Sequence, residues 1–113
     1  MDKVPTEHEE AIILSNWLRA KGINFAKIPN ETFTRSWSQK RKNKIEGVSS
    51  GVPDYMIVIP HKYIIFLELK RTKGGVISEN QKQWISILNT IDNVEAVVCK
   101  GAQESINFLS QLI

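Results

Sequence analysis

The sequence predicts an α/β fold with a central mixed β-sheet of about four strands, flanked by helices in the order α-β-β-β-α-β-α. Three observations predict this fold. Apolar residues recur at helical spacing near the N-terminus, two β-rich runs follow one another across a short turn, and a helical segment then leads to a further β-rich run. Because the chain has 113 residues, of which 42% are hydrophobic, we expect one domain spanning residues 1–113.

The first half of the chain contains a predicted helix, a short strand and a long basic segment. Thr6, with Glu9 three residues later, forms a capping-box pattern, and a helix is predicted from Glu7 to Lys21. A short strand follows at Asn24–Ile28. Residues 31–50 are polar and weakly periodic, so we expect a loop with room for one short helical piece around Trp37–Lys44. Loops of this length in small domains are often functional.

The second half contains the rest of the predicted sheet. Val52–Ile59 and Tyr63–Lys70 are β-rich runs separated by so short a turn that they form an antiparallel hairpin. Ser78 caps the next helix, which leads to a strand at Val94–Cys99. The helix between the last two strands predicts a right-handed crossover and parallel pairing. A final helix follows Gly101.

Charge and cysteine content limit the classes of function. The net charge is only +3, but eight basic residues and the single acid Glu31 lie between Arg19 and Lys44. This distribution suits a polyanionic partner, although a solvated lysine-rich loop is the alternative. The lone Cys99 excludes a disulfide framework and a cysteine-based zinc site. No apolar run approaches the roughly 18–20 residues that span a bilayer, so we expect a soluble, intracellular (cytoplasmic) protein.

Three charged residues stand out in the otherwise apolar hairpin, and they are the candidate catalytic group. Glu68 and Lys70 are two residues apart and share one face of their strand, where burial makes ionisation costly. The hairpin brings Asp54, at the start of the other strand, beside them. A same-face ion pair between Glu68 and Lys70 would leave Asp54 unexplained. Two converging carboxylates favour a hard divalent cation, Mg²⁺ or Mn²⁺, and the lysine suits activation of a water molecule.

These residues resemble a known family signature. Pro53-Asp54, thirteen further residues and then Glu68-Leu69-Lys70 resemble the PD-(D/E)XK nuclease motif. More narrowly, the chain resembles the VRR-NUC family, whose restriction-endonuclease-like core matches the predicted order of elements. The segments that carry this narrower resemblance are Pro29-Asn30-Glu31, Gly51-Val52-Pro53-Asp54 and Ser78-Glu79-Asn80-Gln81-Lys82-Gln83-Trp84.

The resemblance implies roles for particular residues. Asp54 and Glu68 would bind the metal with help from the backbone carbonyl of Leu69, and Lys70 would be the catalytic lysine. A helix-one acid completes the site in the family, and we expect Glu10, one turn before Ile13 and Leu14, with Glu9 as the alternative. Gln81 would lie beside the site. The candidate DNA contacts in the basic loop are Arg35, Lys40, Arg41, Lys42 and Lys44.

The resemblance also implies a function. Stand-alone members of the family are similar to Holliday junction resolvases and are typically homodimers, so we expect a Mg²⁺- or Mn²⁺-dependent endonuclease that cuts four-way DNA junctions. Such a small nuclease would fit a viral or prophage origin. Two alternatives remain open at this point. One is a flap, duplex-repair or restriction-type nuclease that works with a helicase, and the other is a DNA-binding module without catalysis.

Overall fold

The computed structural model describes residues 3–29 and 37–113, with residue 37 described for its backbone only. The predictions made for Asn30, Glu31 and Arg35 lie outside these described residues. The elements, in chain order, are α1 (Glu7–Ala20), β1 (Asn24–Lys27), α2 (Trp37–Ile45), β2 (Tyr55–Ile59), β3 (Tyr63–Lys70), α3 (Glu79–Leu88), β4 (Val94–Lys100) and α4 (Gly101–Ser110). The short helical piece expected in the basic segment is α2.

The sheet has the order β1-β2-β3-β4. β1 pairs antiparallel with β2, and β2 pairs antiparallel with β3. β3 pairs in parallel with β4, after the crossover through α3. The predicted mixed α/β fold and hairpin are therefore confirmed. None of the described helices is long and apolar enough to cross a membrane.

The hydrophobic core lies between one face of the sheet and the pair of helices α1 and α4. Side chains alternate between the two faces of a strand, so every second residue of the hairpin enters this core. The buried hairpin residues are Tyr55, Ile57, Ile59, Ile65, Leu67 and Leu69, and the helices contribute Ala11, Leu14, Leu18, Ala102 and Leu109. Glu68 and Lys70 have the opposite parity on β3, so they point away from this core.

Helix α1 is placed along the sheet by both packing and hydrogen bonds. The Tyr55 hydroxyl donates to the backbone oxygen of Ala11 across 3.4 Å and lies 3.2 Å from the Ser15 hydroxyl. At the N-terminus of the helix, the predicted capping box is present, with Thr6 and Glu9 exchanging two hydrogen bonds. These contacts set the first turn of α1 against the start of β2.

Candidate metal centre

Asp54 is held between two strands immediately before β2 begins. The register Tyr55↔Leu67 places Asp54 opposite the end of β3. The backbone N–H of Leu69 donates to Asp54 Oδ2 across 2.9 Å. On the other side, the N–H of Ile28 donates to the backbone oxygen of Asp54 across 2.7 Å. The hairpin therefore brings Asp54 beside Glu68, as its turn length predicted.

Glu68 is a nearly buried carboxylate with an incomplete set of partners. Its residue is 2% exposed. Its Oε2 accepts a hydrogen bond from Gln81 Nε2 at 3.1 Å and lies 3.5 Å from Lys70 Nζ. Its Oε1 is buried and has no hydrogen-bond partner among the described residues. The ion pair with Lys70 is thus real, but it satisfies only one of the two oxygens.

Burial and nearby negative charge favour the protonated form of the Glu68 carboxyl. Burial, followed by the negative charge of Asp54, raises the pKa of the Glu68 carboxyl from 4.5 to about 8, although the positive charge of Lys70 opposes the rise. A buried carboxylate that is costly to ionise and lacks a partner on one oxygen is suited to a cation ligand.

Gln81 connects the start of α3 to this carboxylate. The N-cap Ser78 and Gln81 form a capping box, in which the Ser78 N–H donates to Gln81 Oε1 across 2.8 Å. That bond fixes the orientation of the amide, so its Nε2 faces Glu68. Gln81 therefore caps the helix and also contacts Glu68, so it lies beside the site as the family resemblance implied.

The helix-one acid at the cluster is Glu7, which differs from the predicted residue. Carboxylate oxygens of Glu7, Asp54 and Glu68 lie within 4.8 Å of one another. Glu10 is buried elsewhere, where its Oε2 would lie 2.5 Å from a Cβ added at Gly101. Glu9 is exposed and belongs to the cap, and its hydrogen bonds with Thr6 lower its pKa.

The physical reason for this difference is the position of the buried stripe on α1. The prediction extended the apolar face back from Ile13 and Leu14, but Ile13 is 50% exposed. The buried residues of α1 are Glu10, Ala11, Leu14 and Leu18. One more turn back from Ala11 reaches Glu7. Because one turn back from Leu14 reaches Glu10 on the same buried side, the spacing in the sequence did not separate the two acids.

The family model for the VRR-NUC domain matches residues 5–103. The chain belongs to the VRR-NUC family. It is also similar to a solved structure described as a VRR-NUC domain protein, with 26% sequence identity, a TM-score of 0.80, and coverage of 99% of this chain and 91% of the other. No protein with a curated description matches the chain. The family assignment places the chain among nucleases and agrees with its α/β fold.

Gly51, in the Gly-Val-Pro-Asp segment of this VRR-NUC domain, allows α3 to approach the site. Its φ is +87°, and a Cβ at this position would lie 2.6 Å from the Asn80 carbonyl carbon and 2.7 Å from the Gln81 nitrogen. Only a residue without a side chain fits such a backbone contact. Gly51 therefore sets the distance between the Asp54 segment and the helix that carries Gln81.

The basic residues predicted as DNA contacts lie on a separate element. Lys40, Arg41, Lys42 and Lys44 are on α2, where Lys40 is half-buried and the other three are exposed. Asn43 of α2 lines a cavity together with Glu7 and Asp54. The sequence did not single out Lys27, which lines the same cavity.

Proposed function

We propose that this VRR-NUC protein is a metal-dependent, structure-selective DNA endonuclease that hydrolyses phosphodiester bonds at four-way (Holliday) junctions. The observation that carries the proposal is the buried, unpartnered Oε1 of Glu68, set beside the carboxylates of Asp54 and Glu7 and the ammonium of Lys70. The three acids would repel one another without a further cation, and together with the lysine they match the requirements of metal-assisted phosphodiester hydrolysis.

The donor set favours a hard divalent ion. Glu7, Asp54 and Glu68 offer only carboxylate oxygens, which suit Mg²⁺ or Mn²⁺ better than softer metals. The backbone carbonyl of Leu69 is a further candidate ligand, because its own N–H already orients Asp54. When bound, such an ion polarises a phosphoryl oxygen and lowers the pKa of a coordinated water molecule.

Lys70 and Gln81 would provide the remaining chemistry. Lys70 Nζ lies 3.5 Å from Glu68 Oε2, where it can orient the attacking water or balance negative charge on the phosphorane. Gln81 holds the Glu68 carboxylate through Nε2 and can contact the same water. Glu10, the acid expected from the sequence, would support the packing of α1 against α4 instead.

The proposed substrate and assembly follow from the family resemblance and from surface charge. The exposed basic side chains of α2 offer phosphate contacts without base specificity. A four-way junction is symmetric, and two matched cuts are supplied most simply by a two-fold homodimer. Large apolar side chains remain exposed on and after α3, with Ile87 at 60% and Ile91 at 51%, and a second copy would cover such surface.

The test is a cleavage assay on four-way junctions, flaps and plain duplexes of matched sequence, with Mg²⁺, Mn²⁺ or a chelator. We expect metal-dependent cleavage with the junction cut fastest. Asp54→Asn and Lys70→Ala should each lower the rate by about a hundredfold or more while DNA binding persists. Glu46→Gln, on an exposed residue, is the control. Faster cleavage of flaps or duplexes would indicate a repair or restriction-type nuclease, and binding without any cleavage would refute the enzymatic proposal.

A further inference from the structure

A cavity of about 630 Å³ opens directly beside the carboxylate cluster. It lies between the start of α1, the end of β1 and the segment that includes the end of α2. Its lining combines the two acids Glu7 and Asp54 with one cation, one amide and three apolar residues. The lining residues other than the acids are Lys27, Ile28, Pro29, Asn43 and Val48. Its volume falls in the range of about 300–1,000 Å³ that is typical of small-ligand sites.

Lys27 is the cation of this cavity, and the sheet holds it next to Asp54. The register pairs Lys27 with Tyr55, and the following residue, Ile28, donates its N–H to the Asp54 carbonyl. A second cavity of about 130 Å³ is also lined by Glu7, Lys27 and Asp54. Lys27 therefore borders the carboxylates from both cavities. Within residues 3–29 and 37–113, Lys27 forms no ion pair, whereas Lys70 is paired with Glu68.

A free cation beside the site would help it to bind an anionic substrate. A divalent ion and Lys70 together only balance the three carboxylates of Glu7, Asp54 and Glu68. An anionic phosphodiester would then approach a neutral site with negative oxygens at its rim. A further unpaired ammonium on that rim favours phosphate binding, since such contacts supply most of the affinity for nucleic acid.

The rest of the lining fits a nucleoside rather than a second phosphate. Ile28, Pro29 and Val48 offer apolar surface against which a base can pack, and the Asn43 amide can both donate and accept hydrogen bonds at a base edge. A base can enter a cavity only if it leaves the duplex stack, and doing so costs least where the base is already unpaired.

We propose that this cavity is a subsite for one unpaired nucleotide next to the scissile phosphate, with Lys27 binding the phosphate of that nucleotide. The inference rests on the proposed nuclease function and adds a feature of its substrate, a nucleotide that is unpaired at the branch point where the junction is cut. It also assigns Lys27 as a substrate-contacting residue that approaches the metal centre from β1, across the cluster from β3.

The first experiment measures DNA binding alone. Fluorescence anisotropy follows a labelled oligothymidine strand with Ca²⁺ present, over a range of KCl concentrations. Lys27→Gln should lower the salt dependence of log K by about 0.7, the value for one phosphate contact on a single strand. Lys62→Gln, in the exposed turn at the opposite end of the hairpin, is the matched control and should leave the slope unchanged. Equal slopes for the two variants would overturn the role of Lys27.

The second experiment tests the nucleoside part of the subsite. The cut position is mapped with the wild-type protein, and an abasic residue is placed on each side of it in turn. At one of these positions, loss of the base should lower kcat/KM several-fold. The abasic residue should not lower kcat/KM further in the Val48→Trp protein, whose tryptophan fills the cavity, or in the Asn43→Ala protein, which carries the smaller change. If base removal lowers kcat/KM by the same factor in the wild-type protein and in both variants, the base binds elsewhere.

The two experiments separate this inference from the proposed function. If the wild-type protein cleaves DNA but Lys27→Gln behaves like Lys62→Gln and abasic residues have no effect, the subsite is wrong and the nuclease proposal stands. If the wild-type protein does not cleave, the nuclease proposal fails, while the salt dependence of binding still decides whether Lys27 contacts a phosphate.

Discussion

Replacing Glu68 by glutamine is expected to stabilise the metal-free protein, even though it removes a proposed metal ligand. In the folded protein the Glu68 carboxyl has a pKa of about 8, whereas its ordinary value is 4.5. Between these two values the folded state binds more protons than the unfolded state. The free energy of unfolding of the metal-free wild-type protein therefore falls as the pH rises from about 5 to about 8.

The size of the effect follows from the same two values. At pH 7, keeping Glu68 protonated costs about 1.4 kcal/mol for each of the two and a half pH units above 4.5, or about 3 kcal/mol. Glutamine avoids this cost, and its carbonyl can still accept the hydrogen bond from Gln81. Its amide nitrogen can donate toward the Asp54 carboxylate. We expect Glu68→Gln to gain up to about 3 kcal/mol at pH 7, about 10 °C in Tm, and little near pH 4.5.

The assay is thermal and urea unfolding of both proteins in a chelating buffer from pH 4.5 to 8.5. Glu46→Gln, which changes an exposed glutamate, is the control and should follow the wild-type curve. Adding Mg²⁺ or Mn²⁺ should stabilise the wild-type protein by about 2.7 kcal/mol at a hundredfold excess over Kd and should leave Glu68→Gln nearly unchanged. A Glu68→Gln protein that is less stable than wild type at pH 7, with no dependence of the difference on pH, would refute this reasoning.

Two further pairs of variants test the geometry of the site. Glu7→Gln should weaken Mn²⁺ binding, measured by calorimetry, by about tenfold or more with little change in Tm. Glu10→Gln should leave Mn²⁺ binding intact. The opposite result would show that Glu10, the acid expected from the sequence, is the metal ligand. Gly51→Ala should lower the free energy of unfolding, measured in urea, by at least about 2 kcal/mol, because its Cβ would collide with Asn80. Gly47→Ala, also at positive φ but with no atom near its Cβ, should lower it by only about 1 kcal/mol. Equal losses for the two alanine variants would show that backbone conformation alone matters at position 51.

Some parts of the site could be predicted because they depend on local geometry. A two-stranded hairpin with a short turn has its register set by the turn, so Asp54 had to lie beside Glu68 and Lys70. The capping box of Ser78 and Gln81 is likewise encoded within four residues. In both cases the interacting residues are close along the chain or are connected by a turn of known geometry.

Other parts depend on how separate elements pack. The docking of α1 onto the sheet, through Leu14, Leu18 and the Tyr55 hydroxyl, decides that Glu7 reaches the cluster and that Glu10 is buried beside α4. Periodicity shows which residues of a helix share a face, but it does not show how far that helix slides or rotates along its neighbours.

The sequence by itself therefore determined the α/β order of elements, the hairpin and the conjunction of Asp54, Glu68 and Lys70. Only the tertiary structure decided which acid of α1 joins them, how close α3 comes at Gly51, and that Lys27 of β1 lines a cavity together with Glu7 and Asp54. The physical reason is that strand register and helix capping are set by short-range geometry. The distances between elements are set by the packing of side chains that lie far apart in the chain.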